Sequence, residues 1–138
     1  MANGPEGATM NVCLDTSFLV DLLRGDAGVR RRFVELRATG NVGATPISLG
    51  SLYHGARRMS GREWKKVQAL EGILQFLPLR PRAARIFGMI AASLEARGLP
   101  IQAEDTFIAA IALDLGLPVV TRNTRHFGRI PGLATIAY

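Results

Sequence analysis

The chain has 138 residues, one cysteine and a formal net charge of +6. That length fits one domain with a single core, and a composition 48% hydrophobic and 7% aromatic excludes a disordered or fibrous chain. A pI near 10.7 favours a polyanionic partner, of which nucleic acid is the commonest, although many basic proteins bind none.

Residues 1–9 carry no basic stretch followed by an apolar one, so they read as a flexible tail, with a single domain over 10–138. No apolar run approaches the roughly 18 residues a membrane span needs. Cys13 has no partner for an internal disulfide and lies in an apolar run, which suits a small hydrophobe in a reducing cytoplasm.

Residues 11–15 form the first expected strand, ending in Asp15. A helix follows over 16–24, with Leu19, Leu22 and Leu23 on one face, and Gly25 stops it. A second, charged helix spans 29–38 and closes at Gly40; residues 42–45 are a short strand ended by Pro46. Helices are expected over 48–59 and 62–74, a strand over 75–79, and the longest helix over 82–97. Ile108, Ile111, Ala112 and Leu115 mark a helix over 105–115 with Gly116 as its stop. Strands over 118–121 and 134–137 complete the pattern. Continuous apolar strands alternating with helices predict an α/β fold of three layers, α/β/α, around a central parallel sheet.

Asp15 therefore lies at the carboxyl edge of the sheet, where open α/β folds bind ligands. Asp-Thr-Ser is also a favoured helix cap, and Asp105 suits a first helical turn in the same way. Two acids delivered by separate helix starts suit a hard divalent cation. An aspartyl-phosphatase needs a second acid where Ser17 stands, and the chain has no Gly-x-x-x-x-Gly-Lys-Ser/Thr loop for a nucleotide phosphate.

Four segments then resemble one family in order. They are 10–17 (Met-Asn-Val-Cys-Leu-Asp-Thr-Ser), 47–56 around Ser51, 101–110 with Asp105 followed by Ile-Ala-Ala, and 120–127 with its continuation to Leu133. Together they resemble the PIN-domain ribonucleases of the VapC toxin type and their FitB-like relatives. The resemblance implies an endoribonuclease dependent on Mg²⁺ or Mn²⁺, with Asp15 and Asp105 as metal ligands. It also implies an RNA substrate, a VapB-like antitoxin as partner, and a homodimer or higher homo-oligomer.

The chain departs from the family at two places. Ser51 stands where relatives carry a glutamate, and Asn123 or His126 where they carry an acid. Ser51 and Asn123 then become water-positioning groups beside the catalytic acids. Glu104, as the immediate neighbour of Asp105, is expected to point elsewhere, and His126 and His54 to be ordinary exposed histidines. Most arginines read as solvated helix faces; Arg122 and Arg125, in the loop after a strand, are the expected phosphate contacts. The alternative is a catalytically weakened PIN-like module that binds RNA or an antitoxin without cleaving, and the serine at position 51 favours it.

Overall fold

The computed structural model describes residues 10–138; the tail expected over 1–9 lies outside the described residues. The elements follow the order β1 (Met10–Leu14), α1 (Thr16–Leu23), α2 (Ala27–Thr39), β2 (Asn41–Ala44), α3 (Pro46–Arg57), α4 (Gly61–Glu71), β3 (Gln75–Phe76), α5 (Pro81–Ala96), α6 (Ala103–Leu115), β4 (Val119–Thr121), α7 (Thr124–Phe127) and β5 (Thr135–Ala137). The five strands pair in parallel in the order β3-β2-β1-β4-β5.

Strand side chains alternate between two apolar layers. Val12, Leu14 and Val120 join Phe18, Phe33, Leu52 and Val67 on the α1–α4 side. Cys13 and Val119 join Ile90, Leu94, Ile108 and Ile111 on the α5–α6 side. Burial on both faces is why the strands read as unbroken apolar runs. Cys13 is buried, and its desolvation pushes the thiol up to about 12, so it stays protonated and inert.

Helix α6 is buried almost all round, through Thr106 and the run Ile108 to Ala112. Its alanines let it pack close between the sheet and α5, and Gly116 ends it at φ 71° while Leu117 N–H donates to Ala112 O at 2.9 Å. Near that end the buried Asp114 carboxylate takes a two-pronged bond from Arg80 at 2.8 and 3.0 Å, pinning the start of α5.

The observed elements differ from expectation at several boundaries: α2 and α3 each start two residues early, at Ala27 and Pro46, and α4 ends at Glu71 instead of residue 74. Strand β3 stops at Phe76 instead of reaching residue 79. Leu77 N–H still bonds Ala44 O at 2.9 Å, but Pro78 has no N–H with which to continue. Helix α6 starts two residues before Asp105, and α7 is a helix where a loop was expected.

Because Ile108 is fully buried, Ile108→Ala is expected to cost about 2–5 kcal/mol. Met89, 72% exposed on α5, should tolerate alanine to within about 0.5 kcal/mol. Urea denaturation at unchanged m-value checks both; equal costs at the two positions would contradict the layer assignment.

Candidate metal centre

Asp15 follows the last residue of β1, and its own N–H makes a ladder bond to Val120 O at 3.0 Å. The backbone then turns (φ −71°, ψ 158°) and Asp15 caps α1. Three donors hold its carboxylate. Thr16 N–H reaches Oδ1 at 2.8 Å, while the Ser17 and Thr121 hydroxyls both reach Oδ2 at 2.8 Å. The α1 dipole also favours negative charge at this position. Asp15 is only 1% exposed, so its orientation is fixed and Oδ1 keeps a lone pair to offer a ligand.

Starting α6 at Ala103 puts Glu104 and Asp105 both in its first turn. Asp105 is half-buried, and its carboxyl is pushed up to about 6. Loss of water does most of this, followed by the negative charges of Asp15 and Glu104, with His126 pulling the other way. The structure therefore brings Asp15 and Asp105 into one electrostatic neighbourhood.

Glu104 corrects the sequence reading, because it turns toward the acids instead of away. Its Oε2 accepts the Thr16 hydroxyl at 3.0 Å. Thr16 Oγ1 lies 2.8 Å from Ser48 Oγ, and Ser48 Oγ accepts from Thr45 Oγ1 at 3.4 Å. Read in the donor direction, the chain runs from Thr45 through Ser48 and Thr16 to Glu104. Thr45 also caps α3, accepting Ser48 N–H at 3.0 Å.

None of these three carboxylates forms an ion pair with a lysine or arginine among the described residues, although the charge of His126 bears on Asp105. Elsewhere acids do pair: Asp21 with Arg122, Asp114 with Arg80 and Arg82, Glu63 with Lys66. Asp15, Glu104 and Asp105 thus share the carboxyl edge of the sheet without such an ion pair, in a chain of net +6. No group of three or more His, Cys, Asp or Glu is arranged to cage a metal among the described residues. A hard cation such as Mg²⁺ keeps several waters and needs only one or two carboxylates plus substrate phosphate, so a pair of acids would be enough to hold it.

The other expected site residues fall around this centre. Ser51 lies one turn beyond Ser48 on α3. It lines a groove of about 250 Å³ with Val20, Leu23, Arg24, Leu52 and Met59, and makes no hydrogen bond to the acids among the described residues. The α3 hydroxyl tied into the acidic cluster is that of Ser48, which sequence reading missed. Asn123 connects through its backbone: its N–H donates to Thr121 Oγ1 at 2.9 Å, while its exposed carboxamide makes no bond among the described residues.

Arg122 bonds Asp21 Oδ2 at 2.7 Å, where the Tyr138 hydroxyl also donates at 3.0 Å. Part of its charge is thus already committed, unlike a free phosphate contact. Arg125 is exposed on α7 without a partner among the described residues. His126 is exposed too, yet near enough to Asp105 to influence its proton.

The pattern of the PIN domain matches residues 12–133, and the chain belongs to that family. Over 125 residues it is 33% identical to the tRNA(fMet)-specific endonuclease VapC of Shigella flexneri, covering 88% of this chain and 93% of that one. Over 130 residues it is 31% identical to ribonuclease VapC2 of Haemophilus influenzae, with 88% and 93% covered. Among solved structures, DNA-bound VapBC from Salmonella typhimurium contains a chain that superposes with a TM-score of 0.81 at 31% identity, over 94% of this chain and 98% of that one. The fold is also shared with VapBC2 from Rickettsia felis, at a TM-score of 0.87, 22% identity and 94% and 99% coverage. The metal dependence of PIN-domain nucleases fits the residues present. No helix is long and apolar enough to cross a membrane among the described residues.

The raised Asp105 carboxyl has a consequence for stability. The folded value, about 6, exceeds the unperturbed 3.8, so the fold favours the protonated form. That contribution is complete below the unfolded value and is lost as pH rises through the folded one. In EDTA, Asp105→Asn should therefore melt several degrees above wild type at about pH 8, a gap that shrinks toward about pH 4. A gap independent of pH, measured by thermal melts, would contradict the raised Asp105 carboxyl and with it the burial and neighbouring charges that cause it.

Proposed function

We propose that this protein is a metal-dependent endoribonuclease of the VapC type, the toxin of a toxin–antitoxin pair, with Asp15 and Asp105 holding Mg²⁺ or Mn²⁺. The observation that carries the reading is the group of unpaired carboxylates at the carboxyl edge of the sheet. The names of the relatives, endonuclease and ribonuclease, supply the reaction class. When bound, such a cation neutralises phosphate charge and lowers the pKa of a water.

The protein's own residues do the rest. Asp15, clamped by three donors, presents Oδ1 without needing to reorganise, while half-buried Asp105 is the more adaptable of the pair. Arg125 and the exposed carboxamide of Asn123 offer a phosphodiester one cation and one polar group beside the acids. Arg122 contributes the part of its guanidinium not taken by Asp21. Ser51 brings no charge, so an RNA-cleaving centre here relies on fewer direct ligands than a four-acid site.

The similar solved structures include VapBC from Salmonella typhimurium and a toxin–antitoxin complex from Klebsiella pneumoniae, which supports a VapB-like antitoxin as partner here. A homodimer or higher homo-oligomer is proposed by the same likeness, and RNA is the substrate. A cytoplasmic setting is likewise proposed from the likeness to these relatives.

Purified protein should cleave RNA with Mg²⁺ or Mn²⁺, and Asp15→Asn should lower the rate by at least about a hundredfold, in the range seen when an electrostatic catalytic group is removed. Calorimetry should show Mn²⁺ binding in wild type and its loss in both Asp15→Asn and Asp105→Asn. A folded wild type that binds Mn²⁺ and RNA without cutting would leave a binding module in place of the nuclease.

Arg125→Ala should weaken RNA binding and reduce its salt slope by about one, the release of one counterion. An unchanged slope would place the RNA on another basic face. Arg122→Ala should also loosen Asp21 and Tyr138, so a lower melting temperature is expected there in addition to weaker binding.

A further inference from the structure

Glu104 is a carboxylate that the sequence pattern did not mark, yet the fold gives it an address. It stands in the first turn of α6 beside Asp105, partly buried, with no arginine, lysine or histidine bonded to it among the described residues. Three side chains in series determine where it points: Thr45, Ser48 and Thr16 form a line of hydroxyls, and each can donate to the next until the last donates to Glu104 Oε2. Thr45 and Ser48 are both fully buried, so the far end of this line is anchored in the protein interior. Thr16 is also the residue whose N–H holds Asp15 Oδ1. One residue thus sets two carboxylates, from opposite ends of the chain, at a fixed relation.

We propose that Glu104 is the third carboxylate of the divalent-cation centre, acting through a bridging water instead of direct ligation. This rests on the reading of Asp15 and Asp105 as the metal pair. Direct ligation is not what the arrangement favours, since the three acids do not form a cage and Oε2 is taken by Thr16. Oε1 remains open as an acceptor. A carboxylate in that position accepts hydrogen bonds from cation-bound water and adds negative charge that attracts the cation over a longer range. Thr16 is then a positioning residue, acting on the cation only through Glu104 and Asp15. The polar character of α3 at Ser48, and the short uncharged side chain of Ser51, become intelligible: α3 supplies the hydroxyl that aims a carboxylate, while α6 supplies the carboxylate itself.

The test is Mn²⁺ calorimetry on the full chain, with wild type, Glu104→Gln, Thr16→Val and Asp15→Asn, supported by melts with and without Mn²⁺. Glu104→Gln keeps size and shape and removes the charge. It is expected to weaken Mn²⁺ binding about tenfold and to shrink the Mn²⁺-induced rise in melting temperature, while the metal-free protein melts no lower than wild type. Thr16→Val, which leaves the carboxylate but frees it, should lose affinity in the same direction by a smaller factor. Wild-type Mn²⁺ affinity in folded Glu104→Gln, beside a lost signal in Asp15→Asn, overturns the role of Glu104 and leaves the two-aspartate centre standing. Unchanged affinity in Asp15→Asn as well overturns the metal pair itself. Loss in Glu104→Gln with none in Thr16→Val refutes the aiming role of the hydroxyl line. A metal-free Glu104→Gln that melts well below wild type identifies Glu104 as a structural support and overturns its assignment to the cation.

Discussion

The carboxylate of Asp15, gripped by Thr16 N–H and the Ser17 and Thr121 hydroxyls, is the constraint on which the centre depends. A buried charge is tolerated only when its hydrogen bonds are met. Those three donors come from the start of α1 and the end of β4, so the bonds also define how β1, α1 and β4 meet. Thr121 is fully buried and bonds in turn to Asn123 N–H, which carries the same constraint into the turn before α7. A protein that merely needed a helix cap at position 15 would be served by Thr16 N–H alone. The further two donors hold the carboxylate in one rotamer, as a ligand position requires and a cap does not.

Around that fixed point the acids are arranged at a cost. Asp105 is brought close enough to Asp15 and Glu104 for its carboxyl to resist ionising. Without a cation the cluster opposes folding, while a cation that binds only the folded state returns that free energy. The ion pairs elsewhere show what the fold does when it has no such use for an acid. Asp114 is neutralised by Arg80 and Arg82, Asp21 by Arg122. Those buried or half-buried acids brace the fold through their arginines, while Asp15, Glu104 and Asp105 share the carboxyl edge without one.

Much of this was legible in the residues. Periodicity placed the long helices and the apolar strands because each buries a complete stripe or face, and Asp15 announced itself by ending an apolar run at a helix start. What stayed hidden were effects of a few atoms' reach. Helix α7 is four residues long, less than the length over which a helical stripe can be recognised, although Phe127 is buried beneath it. Starting α6 at Ala103 instead of Asp105 changes the direction of Glu104. Helical side chains tilt toward the N-terminus, so a long acid in the first turn reaches back across the helix end to α1. Sequence adjacency to Asp105 suggested divergence, and the tilt reverses that. Likewise α3 begins at Pro46, which rotates Ser48 into the acidic cluster and leaves Ser51 on the wall of the α1–α4 groove. Such distinctions depend on helix phase, which a boundary shift of two residues alters by more than half a turn.

The contrast between overall charge and local charge gives the centre its selectivity. A net charge of +6 draws polyanions to the surface from a distance of about a Debye length. At the carboxyl edge the sign reverses, and a phosphodiester approaching Asp15, Glu104 and Asp105 meets repulsion that is only partly offset, since Arg122 is already held by Asp21 and Arg125 alone is uncommitted among the arginines of that loop. A divalent cation removes that barrier, being attracted by the carboxylates and attracting the phosphate in turn. On the proposed reading, RNA collects on the basic surface without metal and its backbone settles against the acids only with the cation present. Binding and cleavage are then separated by the same electrostatics, with arginines serving the first and the proposed carboxylates, aimed by hydroxyls, the second.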